Sequence, residues 1–382
     1  MPLSSRKVLL AALFGALLLA ASPAQDFAPD EGRRTGLLRE DEARLRAFVE
    51  SHGRVAGVRV NWLGFERVNG VRAAQGRPSL EVPAVDRIGR EIVTVRPGEV
   101  AVQASGPVLL AADDLPVSVD NSQLKFFPPI RSQGSLGSCA SFSSTYYQLS
   151  YMAAIQRDLD IRAAADNTNK YSPKWSYNML NDGKNEGTYF SENYDLLERH
   201  GAATWAEFPY DSNFKAWCLD PAAWRRALGV RTDPVQYLRD VGEDAGLDLV
   251  KQLLTNGYIL VFGTYVDSWQ QKVVLDDPST AADDAAVGKP VGYWVNGAEG
   301  SHGMTVVGYN DAVWTDINGN GAIDIGEKGA LRIANSWGII SDWRAADRGF
   351  VWLAYDALRQ VPLVPGAPTT PREPAFFNDM AF

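Results

Sequence analysis

Gln133-Gly-Ser-Leu-Gly-Ser-Cys139-Ala-Ser-Phe-Ser-Ser144 runs from a loop of small residues into a helix with a cysteine in its first turn. Phe142, Tyr146, Leu149 and Ala153 follow at alternating steps of four and three, the spacing of one apolar helix face. Ser138 stands where an N-cap belongs. A thiol in the first turn faces the positive end of the helix dipole and unpaired backbone N–H groups, so a lowered pKa is expected. Those N–H groups and the side-chain amide of Gln133 are candidates to hydrogen-bond a developing oxyanion. Cys139 is therefore a candidate nucleophile; the alternative is a buried structural cysteine.

A thiolate nucleophile needs a base, and the chain holds three histidines. His52 lies in a charged N-terminal segment. His200 ends the run Tyr194-Asp-Leu-Leu-Glu-Arg-His-Gly201, ordinary helix C-terminal chemistry. His302, in Gly300-Ser-His-Gly-Met-Thr-Val-Val-Gly-Tyr309, opens a strand entered through glycines and is the candidate base. Leu331-Arg-Ile-Ala-Asn335-Ser-Trp337-Gly338 reads as a further strand ending in a polar residue that can orient an imidazole.

The order Gln, Cys, His, Asn, with the strings around Cys139 and His302 and the Asn-Ser-Trp-Gly of 335–338, resembles the papain family of cysteine peptidases over roughly 115–358. The resemblance implies an α+β fold of two lobes, a helical half followed by an antiparallel, barrel-like β half, with the site in the cleft between them. It implies Gln133 as oxyanion donor, Cys139 as nucleophile, His302 as general base and acid, Asn335 as orienter and Trp337 as a shield over the His–Asn bond. It also places Glu186 and Gly187 where the cleft offers backbone to an extended peptide. The chain departs from the pattern at Leu136, Ala140 and Ser301, where relatives often carry cysteine, tryptophan and aspartate.

Net charge is −9 over 382 residues, with no dense basic stripe, which argues against nucleic acid as a partner. Arg6-Lys7 followed by an apolar run from Val8 to Ala21 and Ser22-Pro-Ala24 has the layout of a cleaved signal peptide, so residues 1–24 are expected to be removed and the protein to be secreted or periplasmic. The run is short for a membrane span. Only Cys139 and Cys218 are present, and Cys218 is expected to be a packed free thiol, an oxidised Cys139–Cys218 pair being the alternative.

Residues 25–114 differ in character. Leu37, Leu38, Leu45, Phe48 and Val49 suggest an amphipathic helix. Runs at 91–95, 100–103 and 108–110 read as short strands. Two roles fit this region: an inhibitory propeptide that covers the cleft until cut away, or a permanent accessory region that helps 115–361 to fold. After the nucleophile, helices are expected from Ser172-Pro173 and beyond the turn at 181–187, and strands dominate from about 257. The tail 362–382 is proline-punctuated.

Asp316-Ile-Asn318-Gly-Asn320-Gly-Ala322-Ile-Asp324-Ile-Gly-Glu327 fits an EF-hand loop, with side-chain oxygens at Asp316, Asn318, Asn320 and Asp324, a backbone carbonyl at Ala322 and a clamping glutamate at Glu327. A single structural calcium loop between the histidine strand and the asparagine strand is expected, without a paired hand. The whole reads as a secreted, papain-like thiol endopeptidase made as a zymogen, with a protein or peptide substrate and no membrane or nucleic-acid partner. The alternatives are acyl transfer from the same thioester and a catalytically silent, calcium-stabilised binding protein.

Overall fold

A computed structural model describes residues 34–81, 85–90, 110–295, 297, 299–339, 347–368 and 380–381. The signal peptide expected at 1–24 and most of the strands expected between 91 and 110 lie outside the described residues.

The fold is α+β, a helical half followed by a sheet half. The nucleophile helix runs through Cys139–Ser141, Phe142–Leu149 and Ser150–Arg157, the middle part wound wider with i→i+5 hydrogen bonds. The stripe Phe142, Tyr146, Leu149 and Ala153 is buried, as its spacing requires, but so is every other residue from 136 to 151. Ser138 is no side-chain cap: its hydroxyl instead meets the hydroxyl of Tyr210 at 2.6 Å. Helices Pro173–Leu180, with proline in the first turn, and Phe190–His200 complete this side of the cleft.

The sheet half is built around β6 (Ser301–Trp314). On one side it pairs antiparallel with β3 (Leu260–Tyr265), and on the other with β7 (Lys328–Ala334), which continues to β8 (Phe350–Ala354). β8 pairs parallel with β5 (Pro290–Trp294), and β5 antiparallel with β4 (Gln270–Val273). Leu275, just past β4, bridges back to Trp314 of β6 and rounds the sheet into a barrel-like form. Valine, isoleucine and aromatic side chains from these strands fill one continuous core.

Three further strands extend the sheet. β1 (Ser118–Asp120) lies on the far end of β6. β2 (Tyr237–Leu238) and β9 (Met380–Ala381) extend the β3 edge.

The N-terminal region corrects one expectation. The helix α1 covers only Glu42–His52, while Leu37 and Leu38 are extended and Leu37 bridges Thr188 in parallel. Periodicity grouped Leu37 with Leu45 and Phe48 because all three are buried or half-buried against the same cluster, but they reach it from different backbone conformations. A second helix, α2 (Trp62–Ala74), had no counterpart in the sequence reading. Its N-cap is Asn61, whose Oδ1 accepts from Leu63 and Gly64 N–H while its Nδ2 donates to Asn256 O at 2.6 Å. Arg67 on α2 donates to Leu254 O, Thr255 O and Asn121 Oδ1. Val55 and Val58 belong to the main sheet core. The stretch after α1 is thus built into the β half.

Candidate active site

Gln133 is fully buried and held from several sides. Its backbone N–H donates to Ser336 O at 2.7 Å, and its Oε1 accepts from Ser336 Oγ at 2.5 Å. With Oε1 fixed, Nε2 faces the cleft and donates to Leu136 O at 2.8 Å and to Arg34 O at 2.9 Å. Ser336 N–H also donates to Asn335 Oδ1 at 2.7 Å, and the same oxygen lies 2.8 Å from His302 Nε2. Trp337 stacks on the His302 ring, with centroids 4.5 Å apart and planes 29° from parallel. Its indole N–H reaches Arg34 O at 3.3 Å.

His302 sits opposite Thr264 at the start of β6, and Asn335 follows the end of β7, so the antiparallel β6–β7 pair brings them together. The next residue, Gly303, backs onto the nucleophile helix: a Cβ there would meet Ala140 Cα and N at 3.3 Å. Gln133, Cys139, His302, Asn335 and Trp337 therefore converge at one place between the halves.

The cleft is filled by the chain's own backbone. Gly36 and Leu37 N–H both donate to Ser301 O, at 3.1 and 3.2 Å. Thr188 N–H donates to Gly36 O and Leu38 N–H donates to Thr188 O, each at 3.0 Å. Gly36 fits because it has no side chain: a Cβ would fall 2.3 Å from Gly137 Cα. Gly187, with φ of +120°, has its Cα beside Gly36 O, where a Cβ would collide at 1.9 Å. Main-chain pairing in the cleft thus falls to Thr188 and Ser301. Gly187 supplies clearance, and Glu186 is exposed with its carboxylate toward Lys184.

The thiol is not in the state expected from its helix position. Burial pushes Cys139 up to about 11, although backbone N–H groups of Gly303, Gly36, Ala140 and Cys139 itself pull the other way. Helix-dipole reasoning assumed an open first turn, whereas Gly36 closes over it. Cys218 is a second free buried thiol in a separate cluster with Trp175 and Leu197.

The loop 316–327 joins β6 and β7. Asp316 accepts from Gly319, Asn320 and Gly321 N–H, and Asn318 and Asn320 from Asn320 and Ala322 N–H. Both asparagine amides converge on Asp324 Oδ2 at 2.7 Å. Glu327 is buried, with its oxygens turned to the N–H groups of Ile317, Asn318 and Asp324. These side chains supply hard oxygens, the ligand type that calcium takes, here engaged in hydrogen bonds within the loop.

No family model matches the chain, and no curated protein matches it. Solved structures do. Xylellain, a cysteine protease from Xylella fastidiosa, is 17% identical with a TM-score of 0.42 over 64% of this chain and 81% of its own. The proform of the ragweed pollen allergen Amb a 11, a cysteine protease, is 16% identical with a TM-score of 0.44 over 84% of each chain. At these values the likeness is one of general chain course and carries none of the argument about the site.

Sequence reading missed Arg34, Gly36, Thr188 and Ser336. The last stood inside the Asn-Ser-Trp-Gly string; the others act through backbone atoms, which leave no residue-type signature.

Proposed function

We propose that the chain is a cysteine peptidase held dormant by its own residues 34–38. The observation that carries this reading is the Arg34 carbonyl resting on Gln133 Nε2, next to Gly36 over the Cys139 thiol. A peptide carbonyl already occupies the position where an oxyanion would be stabilised, and the flanking backbone pairs with Thr188 and Ser301 as an extended substrate would.

With the segment displaced, Cys139 Sγ gives its proton to His302 and attacks a substrate carbonyl carbon. Gln133 Nε2 and the Cys139 N–H stabilise the oxyanion. Collapse expels the amine, which takes the proton from His302, and leaves a thioester. Water, deprotonated by His302, then attacks the thioester and restores the thiol. Asn335 holds the imidazole orientation through its bond to Nε2, and Trp337 excludes water from that bond. The substrate class is protein or peptide in extended form.

Loop 316–327 belongs to the same reading as a calcium loop that braces β6 against β7, with Asp316, Asn318, Asn320, Ala322, Asp324 and Glu327 as ligands. Residues 1–24 direct the chain to a secreted or periplasmic location. No helix among the described residues is long and apolar enough to cross a membrane.

The deciding test is hydrolysis of an unfolded protein by the N-terminally processed chain, with reductant and calcium, against Cys139→Ala. Activity lost in the variant supports the peptidase. Absence of activity in both, with folded and processed protein, moves the assignment to a silent binding protein, and an amide or ester product in place of free acid moves it to acyl transfer.

A further inference from the structure

His52 is the last residue of α1, and its imidazole is nine-tenths buried against the helix Phe190–His200. Its Nε2 lies 3.2 Å from Glu198 Oε1 and 3.7 Å from Asp195 Oδ1, one helical turn apart on that helix. The ring is held in place by stacking on Phe48, with centroids 3.9 Å apart and planes at 16°. Its Nδ1 is 3.0 Å from Phe48 O and 2.7 Å from Ser51 Oγ. The Ser51 hydroxyl donates its own hydrogen to Phe48 O, so both neighbours of Nδ1 act as acceptors and Nδ1 carries a hydrogen.

Nε2 therefore faces two carboxylate oxygens, and the three atoms all lie within 4.8 Å of one another, close enough to share one metal ion. In a tetrahedral site with bonds of about 2.0 Å, ligand atoms stand roughly 3.3 Å apart, close to both separations seen here. A histidine whose other nitrogen donates to a backbone carbonyl is the usual orientation of a metal-ligating imidazole. One imidazole with two carboxylates selects zinc over calcium or magnesium. Around the group, Arg199 reaches the other Asp195 oxygen at 3.9 Å, and Val235 N–H donates to Glu198 Oε1 at 3.1 Å.

We propose that His52, Asp195 and Glu198 bind a zinc ion that fastens α1 to the helix Phe190–His200. This helix also takes the rest of the N-terminal strap: Ser191 N–H donates to Glu40, and Arg44 pairs with Glu192 at 2.6 Å. Zinc at the end of α1 therefore clamps the strap whose other end fills the cleft. That regulatory consequence, but not the metal site itself, rests on the peptidase reading.

The experiment is calorimetric titration of zinc into the full chain carrying Cys139→Ala, with calcium present in excess to fill loop 316–327. One equivalent is expected, with affinity falling roughly a hundredfold or more in His52→Ala and in Glu198→Gln. His200→Ala, a change at an exposed histidine on the same helix, leaves it unaltered. Cobalt in place of zinc should give the visible spectrum of a tetrahedral site, lost in the same variants. Melting curves report folding; should His52→Ala fail to fold, Glu198→Gln decides, because its amide oxygen can still accept from Val235 N–H. Binding unchanged in these variants, or none by the folded chain, overturns the proposal. Zinc should also slow amide exchange at 34–38 in the chain with His52 but not in His52→Ala; equal exchange in both overturns the clamp. A chain that binds zinc here yet hydrolyses nothing sinks the peptidase reading alone, and an active peptidase that binds no zinc sinks this one alone.

Discussion

The side-chain amide of Gln133 donates a 2.9 Å hydrogen bond to the backbone carbonyl of Arg34, 99 residues earlier in the chain. A donor aimed at a carbonyl is what an oxyanion site needs. Here the carbonyl is the protein's own, so on the proposed reading the site is assembled and obstructed at once.

Obstruction by Gly36 depends on its lack of a side chain. Gly36→Leu puts a Cβ within 2.3 Å of Gly137 Cα and must lift the segment from the cleft. The unprocessed variant is expected to hydrolyse a peptide substrate at least about tenfold faster than the unprocessed parent, a change of about 1.4 kcal/mol in the closed–open balance. Equal rates would show that the segment does not limit access.

Cover and acidity are linked at Cys139. With its pKa raised to about 11 by burial, only about one thiol in ten thousand is ionised at pH 7. Alkylation of the intact chain should be slow at neutral pH and climb about tenfold per pH unit toward 11. Removal of 34–40 exposes the thiol to water and the helix dipole, so the same curve should level off at lower pH. Mass spectrometry of the labelled Cys139 peptide reads both curves.

In the proposed peptidase, Asn335 acts through His302, to which its Oδ1 is bonded, rather than on substrate. In the processed enzyme, Asn335→Ala should lower kcat by roughly ten- to a hundredfold with little change in KM, and alter the pH profile as the imidazole loses its orienting partner. His302→Ala should cost roughly a thousandfold or more. Steady-state kinetics across pH separates the two.

Calcium is expected to stabilise the chain by about 2.7 kcal/mol at a concentration a hundredfold above its Kd. Thermal melting with and without chelator checks this, and Glu327→Gln should remove most of the difference. Unchanged melting in the parent chain would count against the loop as an ion site.

The N-terminal region should divide at the end of α1. A chain starting after Gly53 keeps Asn61 on Asn256 and Arg67 on the Leu254–Thr255 carbonyls and is expected to fold. One starting after 84 leaves those buried partners unmet, a loss of about 1–3 kcal/mol at each group, and is expected to aggregate. Solubility and circular dichroism of the two truncations check the division.

What could be read from sequence follows from where the information lies. That Cys139, His302 and Asn335 come together could be anticipated because each stands in a short local string of distinctive residue types. Strands β3, β6, β7 and β8 were legible as runs of β-branched and aromatic residues, the long β6 from its Met304–Tyr309 centre, whereas β4 and β5, broken by Gln271, Lys272 and Gly292, carried no such run. Leu37 was misassigned because apolar spacing cannot tell a strand lying in a cleft from the first turn of a helix. Thr188 and Gly36 were invisible because they act through amide and carbonyl groups that every residue carries. Trp62–Ala74 was missed because the cap that starts it, Asn61, gains its meaning from Asn256, 195 positions later.

Ser336 touches both halves of the site, with its carbonyl and hydroxyl on Gln133 and its N–H on Asn335. Gln133 and Asn335 therefore do not drift independently. A change at either one alters the seat of the other, and their effects should show epistasis, the double substitution costing less than the sum of the singles.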